Sequence, residues 1–266
     1  MNRLLLSSAI FMAALSTAFA QPTVSAGGTL DGAGFYVGQP VAPGSMVSIF
    51  GSGLAASLQS ADTVPWSTTL DKTSVTFNGI AAPLYFVSPG QINAQLPWNV
   101  LASGLADGNA NIVVTMNGTA SPPQVVPIGL YSPGVFSIPP GGGYAIAINP
   151  DGSLAAPAGS IPGFPTRPAH PGEALILLAN GMGPVDSPID NGQPSSDKLR
   201  QTTTTPEVLI NGIGASVIFS GLSPQFPSIN QVNIVVPNGV TGNSLPLQIR
   251  IGGRTSPTNV VIAVAP

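Results

Sequence analysis

Val47 to Ala56 reads VSIFGSGLAA, an apolar run that closes on G-x-G-x-x-A. This is the spacing with which a dinucleotide-binding loop follows a strand. Such a loop needs a helix behind it to offer N–H groups to the phosphates, and an acidic residue about 20 positions on for the ribose. Asp71 stands 18 residues beyond Gly53 and could supply the acid. The helix is missing, because Pro65 and the Ser/Thr-rich VPWSTTLD at 64–71 offer no helical pattern. The stretch is therefore expected to be a strand ending in a glycine turn, with Gly53 in an unusual backbone conformation and no cofactor bound.

Hydrolytic chemistry is thinly supplied. The chain has 10 carboxylates and a single histidine, and G-x-S-x-G is absent, so a serine nucleophile has no recognisable elbow. His170, in RPAHPGE, is expected to be an exposed linker residue. Asp186 and Asp190 in VDSPIDNG are the closest acidic pair, and Asn149, Asp151 and Ser153 alternate as calcium-loop ligands do. The bidentate glutamate of such a loop does not follow, so solvated turns with Asx-type bonds are the expectation at both places, with no metal. The chain is read as non-catalytic.

Binding chemistry is better represented. In QINAQLP, Gln91, Asn93 and Gln95 alternate with apolar residues and so share one strand face. Amides beside an aromatic platform are what a neutral sugar requires: planar donors and acceptors, and a ring to stack on. Trp66 and Trp98 are the candidate platforms, with Tyr85 and Tyr131 behind them. The candidate ligand-binding residues are thus Trp66, Trp98, Gln91 and Asn93. The competing expectation is that Trp98 fills an interface between two units while the amides bond to neighbouring loops.

The elements that must position these residues follow from composition and repetition. The chain has 266 residues, no cysteine, 43% hydrophobic and 6% charged residues, and a net charge of -3. Charge is far below the roughly 25% of ordinary globular chains. The surface must therefore be Ser, Thr, Asn, Gln, Gly and Pro, without the basic field that nucleic acid demands, so no nucleic-acid partner is expected. Residues 1–20 show a cation at Arg3, an apolar run and a terminal Ala18-Phe19-Ala20, as a secretory signal cleaved before Gln21 does. The apolar run is too short to favour a membrane span. A secreted protein is expected in the periplasm, at the cell surface or outside the cell.

The remainder contains itself twice. Pro43 to Leu54 recurs as Pro171 to Met182, SVTFNGIAA as EVLINGIGA, QINAQLP as QVNIVVP, and NIVVTMNGTAS aligns with LQIRIGGRTS, at offsets of 128 to 140. Asn78-Gly79, Asn117-Gly118, Asn211-Gly212 and Gly252-Gly253 sit between β-rich runs. These dipeptides suit type I′ hairpins, because both central residues need positive φ. Hairpins are placed at 74–87, 111–128, 207–219 and 247–264, with another turn at Asn149-Pro150-Asp151-Gly152. Short strands at regular spacing predict an all-β fold of two tandem immunoglobulin-like β-sandwiches. Unit 1 spans 21–130, a Pro/Gly-rich connector with a hairpin spans 131–170 as the leading part of unit 2, and the β-sandwich of unit 2 spans 171–266.

VAPGSMVSIFGSGLA, VTFNGIAAPLYFVSPGQINAQLPWNV, SPGVFS and LANGMGPV resemble the secreted C-terminal module of acidobacterial (Solibacter-type) proteins. Each half more loosely resembles the IPT/TIG branch of immunoglobulin-like domains, through an early I-x-G-x-x-L, a central NG and a late strand ending in VP. The resemblance implies an exported all-β module and no particular activity. The expected role is a structural or interaction module with a protein partner, or alternatively a neutral-polysaccharide-binding protein using the aromatic and amide residues of unit 1.

Overall fold

The computed structural model describes residues 21–266, so the leader expected at 1–20 lies outside the described residues. Every described element is a strand. No helix among the described residues is long and apolar enough to cross a membrane. The fold is a pair of immunoglobulin-like β-sandwiches, one built from each repeat.

In the first sandwich one sheet runs Thr23–Asp31, Met46–Ser52, Gln91–Gln95, Leu84–Val87, Gln59–Ser60, all antiparallel. The facing sheet is built on Asp107–Met116, flanked by Thr73–Phe77 and Gln124–Gly129. Alternation drives one set of side chains inward. Val47, Ile49, Leu84, Ile92, Phe77, Ile112 and Val114 are fully buried between the layers. Truncating any of the larger ones to alanine removes packing worth about 2–5 kcal/mol. The second sandwich repeats the arrangement with Ala174–Asn180, Asn230–Val235 and Ile213–Leu222 in one layer. Glu207–Ile210, Gly242–Ile251 and Val260–Val264 form the other layer.

Turn chemistry is local, and the structure follows it. Asn78, Asn117 and Asn211 have φ of 50, 48 and 51°, each followed by a glycine near 80°, and Gly252-Gly253 stand at 55 and 76°. These are the left-handed pairs that a type I′ turn requires. The 74–87 and 207–219 hairpins need correcting beyond the turn. Only Ile80–Ala81 returns along Thr73–Phe77; after Pro83, which has no N–H to donate, Leu84–Val87 crosses to the other sheet. Ile213–Leu222 does the same without interruption, pairing first with Glu207–Ile210 and then with Asn230–Val235. Both crossings carry a register shift at one position, Tyr85 in the first unit and Ile218 in the second.

The stretch 131–170 is woven into the second sandwich. Gly134–Val135 and Ala147–Ile148 pair with Ala174–Asn180, and Gly143–Ala145 runs parallel to Val260–Val264. At the 149–152 turn, Asp151 Oδ1 accepts from the Ser153 N–H (3.0 Å) and hydroxyl (2.6 Å), while Arg167 Nε donates to Oδ2 (2.6 Å). The calcium-like spacing thus forms a turn in which both Asp151 oxygens are engaged, while Asn149 Nδ2 donates to the Ser153 hydroxyl (3.0 Å) and Asn149 Oδ1 is buried with no partner among the described residues.

VSIFGSGLAA is a strand, Met46–Ser52, ending in a turn at Gly53 with φ of 62°; its copy Gly181 has φ of 68°. Asp71 accepts from the Ser57 N–H and hydroxyl, so the acid that completed the nucleotide motif closes a loop. A Cβ on Gly181 would run into the carbonyl of Ser132, whose N–H donates to the Gly181 carbonyl within the second sandwich. Gly53→Val is expected to lose about 1–3 kcal/mol from backbone strain. Gly181→Val is expected to lose more, because the clash adds to the strain. Urea unfolding of both variants checks this, and a Gly181→Val protein as stable as the parent would refute it.

Candidate functional site

The side chains that face outward from the inner sheets meet where the two sandwiches join. Asn180, fully buried at the end of Ala174–Asn180, lies against Met46 at the start of the equivalent strand. Its Oδ1 accepts from the Met46 N–H (3.0 Å), and its Nδ2 donates to the Met46 carbonyl (2.8 Å) and to Asp31 Oδ1 (2.5 Å). Asp31 Oδ2 accepts from the Gly34 N–H (2.7 Å). No cation pairs with Asp31 among the described residues. Burial therefore pushes its pKa up from 3.8 to about 6, restrained by the bonds from Asn180 and from the Gly34 and Ala33 backbone. Tyr36, whose hydroxyl is buried without a partner among the described residues, is raised by burial and by the Asp31 charge.

A second clasp fixes the other side of the junction. The 188–193 loop of the second unit lies on the first, with the Gly192 N–H donating to Gln95 Oε1 (2.5 Å). The Trp66 N–H donates to the Gly192 carbonyl (3.1 Å), and the Trp98 N–H to Asn191 Oδ1 (3.0 Å). Gln95 is buried and its other end donates to the Gly44 carbonyl. This gives the third amide a structural use; the repeat has Val235 at the equivalent place.

Between these clasps a groove of about 460 Å³ opens, lined from the first unit by Met46, Trp66, Tyr85 and Asn93 and from the second by Leu178 and Phe226. Trp66 and Tyr85 stand 5.1 Å apart at 35°. Trp66 is 8% exposed and offers an edge, while Tyr85 and Phe226, at 44% and 47%, offer accessible rings. Asn93 sits on the floor with its orientation fixed, because Oδ1 accepts from Gln91 Nε2 (2.8 Å) and from the Ser48 hydroxyl (3.1 Å). Its Nδ2 has no partner among the described residues and is free to donate into the groove. Asp62 is the one charged side chain on the lining.

The four candidate residues therefore divide. Trp66 and Asn93 reach the same groove, and Gln91 acts through Asn93. Trp98 does not join them: its ring rests on Gly44 and lines a separate hollow of about 380 Å³ with Leu101, Leu105 and Pro184. Tyr131 packs against Gly183 and Gly252, and its hydroxyl bonds Thr204 (2.9 Å). His170 is exposed, with Nδ1 3.0 Å from the Pro266 carbonyl. Phe226 and the Asp31–Asn180 pair were not legible as site residues. The available signal was divergence between the copies, since Asn180 stands where the first copy has Ser52.

Residues 36–127 match the model of the IPT/TIG domain. No curated protein sequence matches the chain. Among solved structures, the plexin A4 extracellular region is 10% identical with a TM-score of 0.25, over 97% of this chain and 20% of that one. The surface glycan-binding protein SGBP-B of the Bacteroides ovatus mixed-linkage glucan utilization locus, in complex with a mixed-linkage heptasaccharide, is 12% identical with a TM-score of 0.32, over 85% and 42%. The surface glycan-binding protein PbSGBP-B from Prevotella bryantii is 9% identical with a TM-score of 0.27, over 89% and 41%. The chain spans less than half the length of each of these three.

The Asp31 carboxyl makes the junction sensitive to pH. Below about pH 4 it is protonated in both folded and unfolded chains, and burial carries no penalty. Above about pH 6 it is ionised in both, and the folded state bears a charge that burial disfavours. The native form binds the extra proton between those limits, so stability falls as pH rises through that window, by about 2–3 kcal/mol for a shift of roughly two units. Urea unfolding of the parent and Asp31→Asn at pH 4 and pH 7 isolates this group, and the difference between them should change by that amount. A difference that does not move with pH would show that Asp31 titrates normally. Asn180→Ala leaves the buried carboxyl and the Met46 N–H short of partners, and should lose about 2–5 kcal/mol at pH 7.

Proposed function

We propose that the protein is an exported, non-catalytic interaction module that binds a neutral polysaccharide in the groove between its two sandwiches. The observation that carries this reading is the meeting, in one groove, of the exposed Tyr85 ring from the first unit and Phe226 ring from the second with an Asn93 amide whose Oδ1 is held by Gln91 and Ser48. Rings take the apolar faces of a sugar, and a fixed amide gives orientation. The lining supports binding over chemistry, because it holds the single carboxylate Asp62 where glycoside hydrolysis uses two. The absence of a cation on that lining disfavours anionic polymers. Export is supported by the leader-like pattern of residues 1–20 and by the resemblance of the motifs to a secreted acidobacterial module.

A panel of immobilised neutral polysaccharides (glucans, xylans and mannans) tests the reading. At least one should bind, and Tyr85→Ala and Phe226→Ala should each weaken it roughly 5- to 30-fold, as removal of an aromatic anchor does. Their thermal stability should stay near the parent's, because both side chains are exposed. Trp98→Ala should behave oppositely, lowering Tm while binding persists. Absence of binding to every member, or binding that survives both ring truncations, would sink the proposal.

A further inference from the structure

The second sandwich carries the same amide device as the first. Gln231 Nε2 donates to Asn233 Oδ1 at 2.9 Å, as Gln91 does to Asn93 at 2.8 Å. Asn233 Nδ2 likewise has no partner among the described residues. Asn233 lines its own cleft of about 410 Å³, walled by Ile148, Pro150, Ile176 and Ile218. Ile218 occupies the register shift that Tyr85 occupies in the first unit, and both project outward, at 59% and 44% exposure. The device has thus been kept in both copies while the flanking ring became a branched aliphatic chain.

The two clefts lie on one surface. Ile176 of the second cleft and Leu178 of the junction groove are successive same-face positions of one strand, about 7 Å apart. Across the ladder, Ile176 pairs with Asn233 and Leu178 with Gln231. No charged side chain lines the second cleft. Each space falls within the roughly 300–1,000 Å³ of small-ligand sites.

From this continuity we infer that the junction groove and the Asn233 cleft form one binding track, so that the ligand is a neutral glycan chain long enough to occupy both. The inference rests on the glycan reading of the groove and adds a length requirement to it. The junction end grips with rings, and the distal end with an aliphatic wall and a second outward-facing amide. A short oligosaccharide fills one end only, whereas a longer chain engages both ends as a tethered pair of weak contacts.

Titration of the full mature chain with laminari-, xylo- and manno-oligosaccharides of three and eight residues tests this. A trimer footprint has six registers on an octamer, so about a sixfold gain is statistical and carries no information. The expected result is an octamer at least 30-fold tighter than the trimer. Ile218→Asp and Asn233→Ala should bring the octamer down to the statistical gain and leave the trimer unchanged, whereas Tyr85→Ala should weaken both lengths. An octamer gain of sixfold or less, or an octamer indifferent to both distal variants, overturns the track and leaves the groove reading intact. If no oligosaccharide of either length binds, both fall together.

Discussion

The structure turns on one carboxamide. Asn180 reads the Met46 backbone as a strand neighbour would, accepting from its N–H and donating to its carbonyl, and spends its remaining N–H on Asp31. Both N–H groups and the oxygen of the side chain are paired in a buried site, where an unmet group would be expensive. Two sandwiches that share a fold could hang as beads. This amide, with the Gln95–Gly192 clasp opposite, joins their inner sheets, so that Met46, Asn93 and Leu178 line one groove. The buried carboxylate is the cost: its charge has no counter-ion among the described residues, and it is held by hydrogen bonds from Asn180 and Gly34.

The chain makes its junction by breaking its own repetition. Ser52 becomes Asn180, and Gln95 has Val235 as its counterpart. Asn180 and Gln95 each hydrogen-bond across the boundary. Charge contributes little. Arg254 and Asp107 pair across the units at 2.7 Å, yet both are largely exposed, where such pairs are worth under about 1 kcal/mol. With so few charges available, docking is left to directed neutral hydrogen bonds and to apolar contact, and both fix geometry more tightly than a solvated ion pair does.

What the sequence disclosed follows the range of the interaction. Asn-Gly turns, the glycine at 53 and 181, and the alternation of QINAQ are written within a few residues, and they appeared as expected. The sheet-crossing after Pro83 was missed, because the hairpin rule governs the turn and says nothing of where the returning arm pairs next. Trp66 and Asn93 could be picked out by type, and Trp66's burial to 8% could not. Gln95 could be placed on the same strand face as Gln91 and Asn93, but its burial could not be read, because the loop that covers it lies about a hundred residues away. Asp31 and Phe226 carry no local mark at all. One is an aspartate at the end of a strand and the other an aromatic in a Pro-rich loop, and only the docking of the two units gives either a role.

That docking ties the groove to the junction's protonation. The groove exists only while Met46, Asn93 and Leu178 are held on one surface, and the hold runs through Asn180 to a carboxyl that ionises near pH 6. Whatever occupies the groove binds the docked arrangement and not the separated one, and so must stabilise it. Ionisation of Asp31 acts on the same arrangement with the opposite sign. The two effects are therefore linked through one equilibrium, although the groove's rings and the carboxyl make no hydrogen bond to each other. Among the described residues Asp31 and Arg200 are the buried charged side chains, and Arg200 has Asp197 beside it, so Asp31 is the one whose state the junction's hydrogen bonds and burial decide.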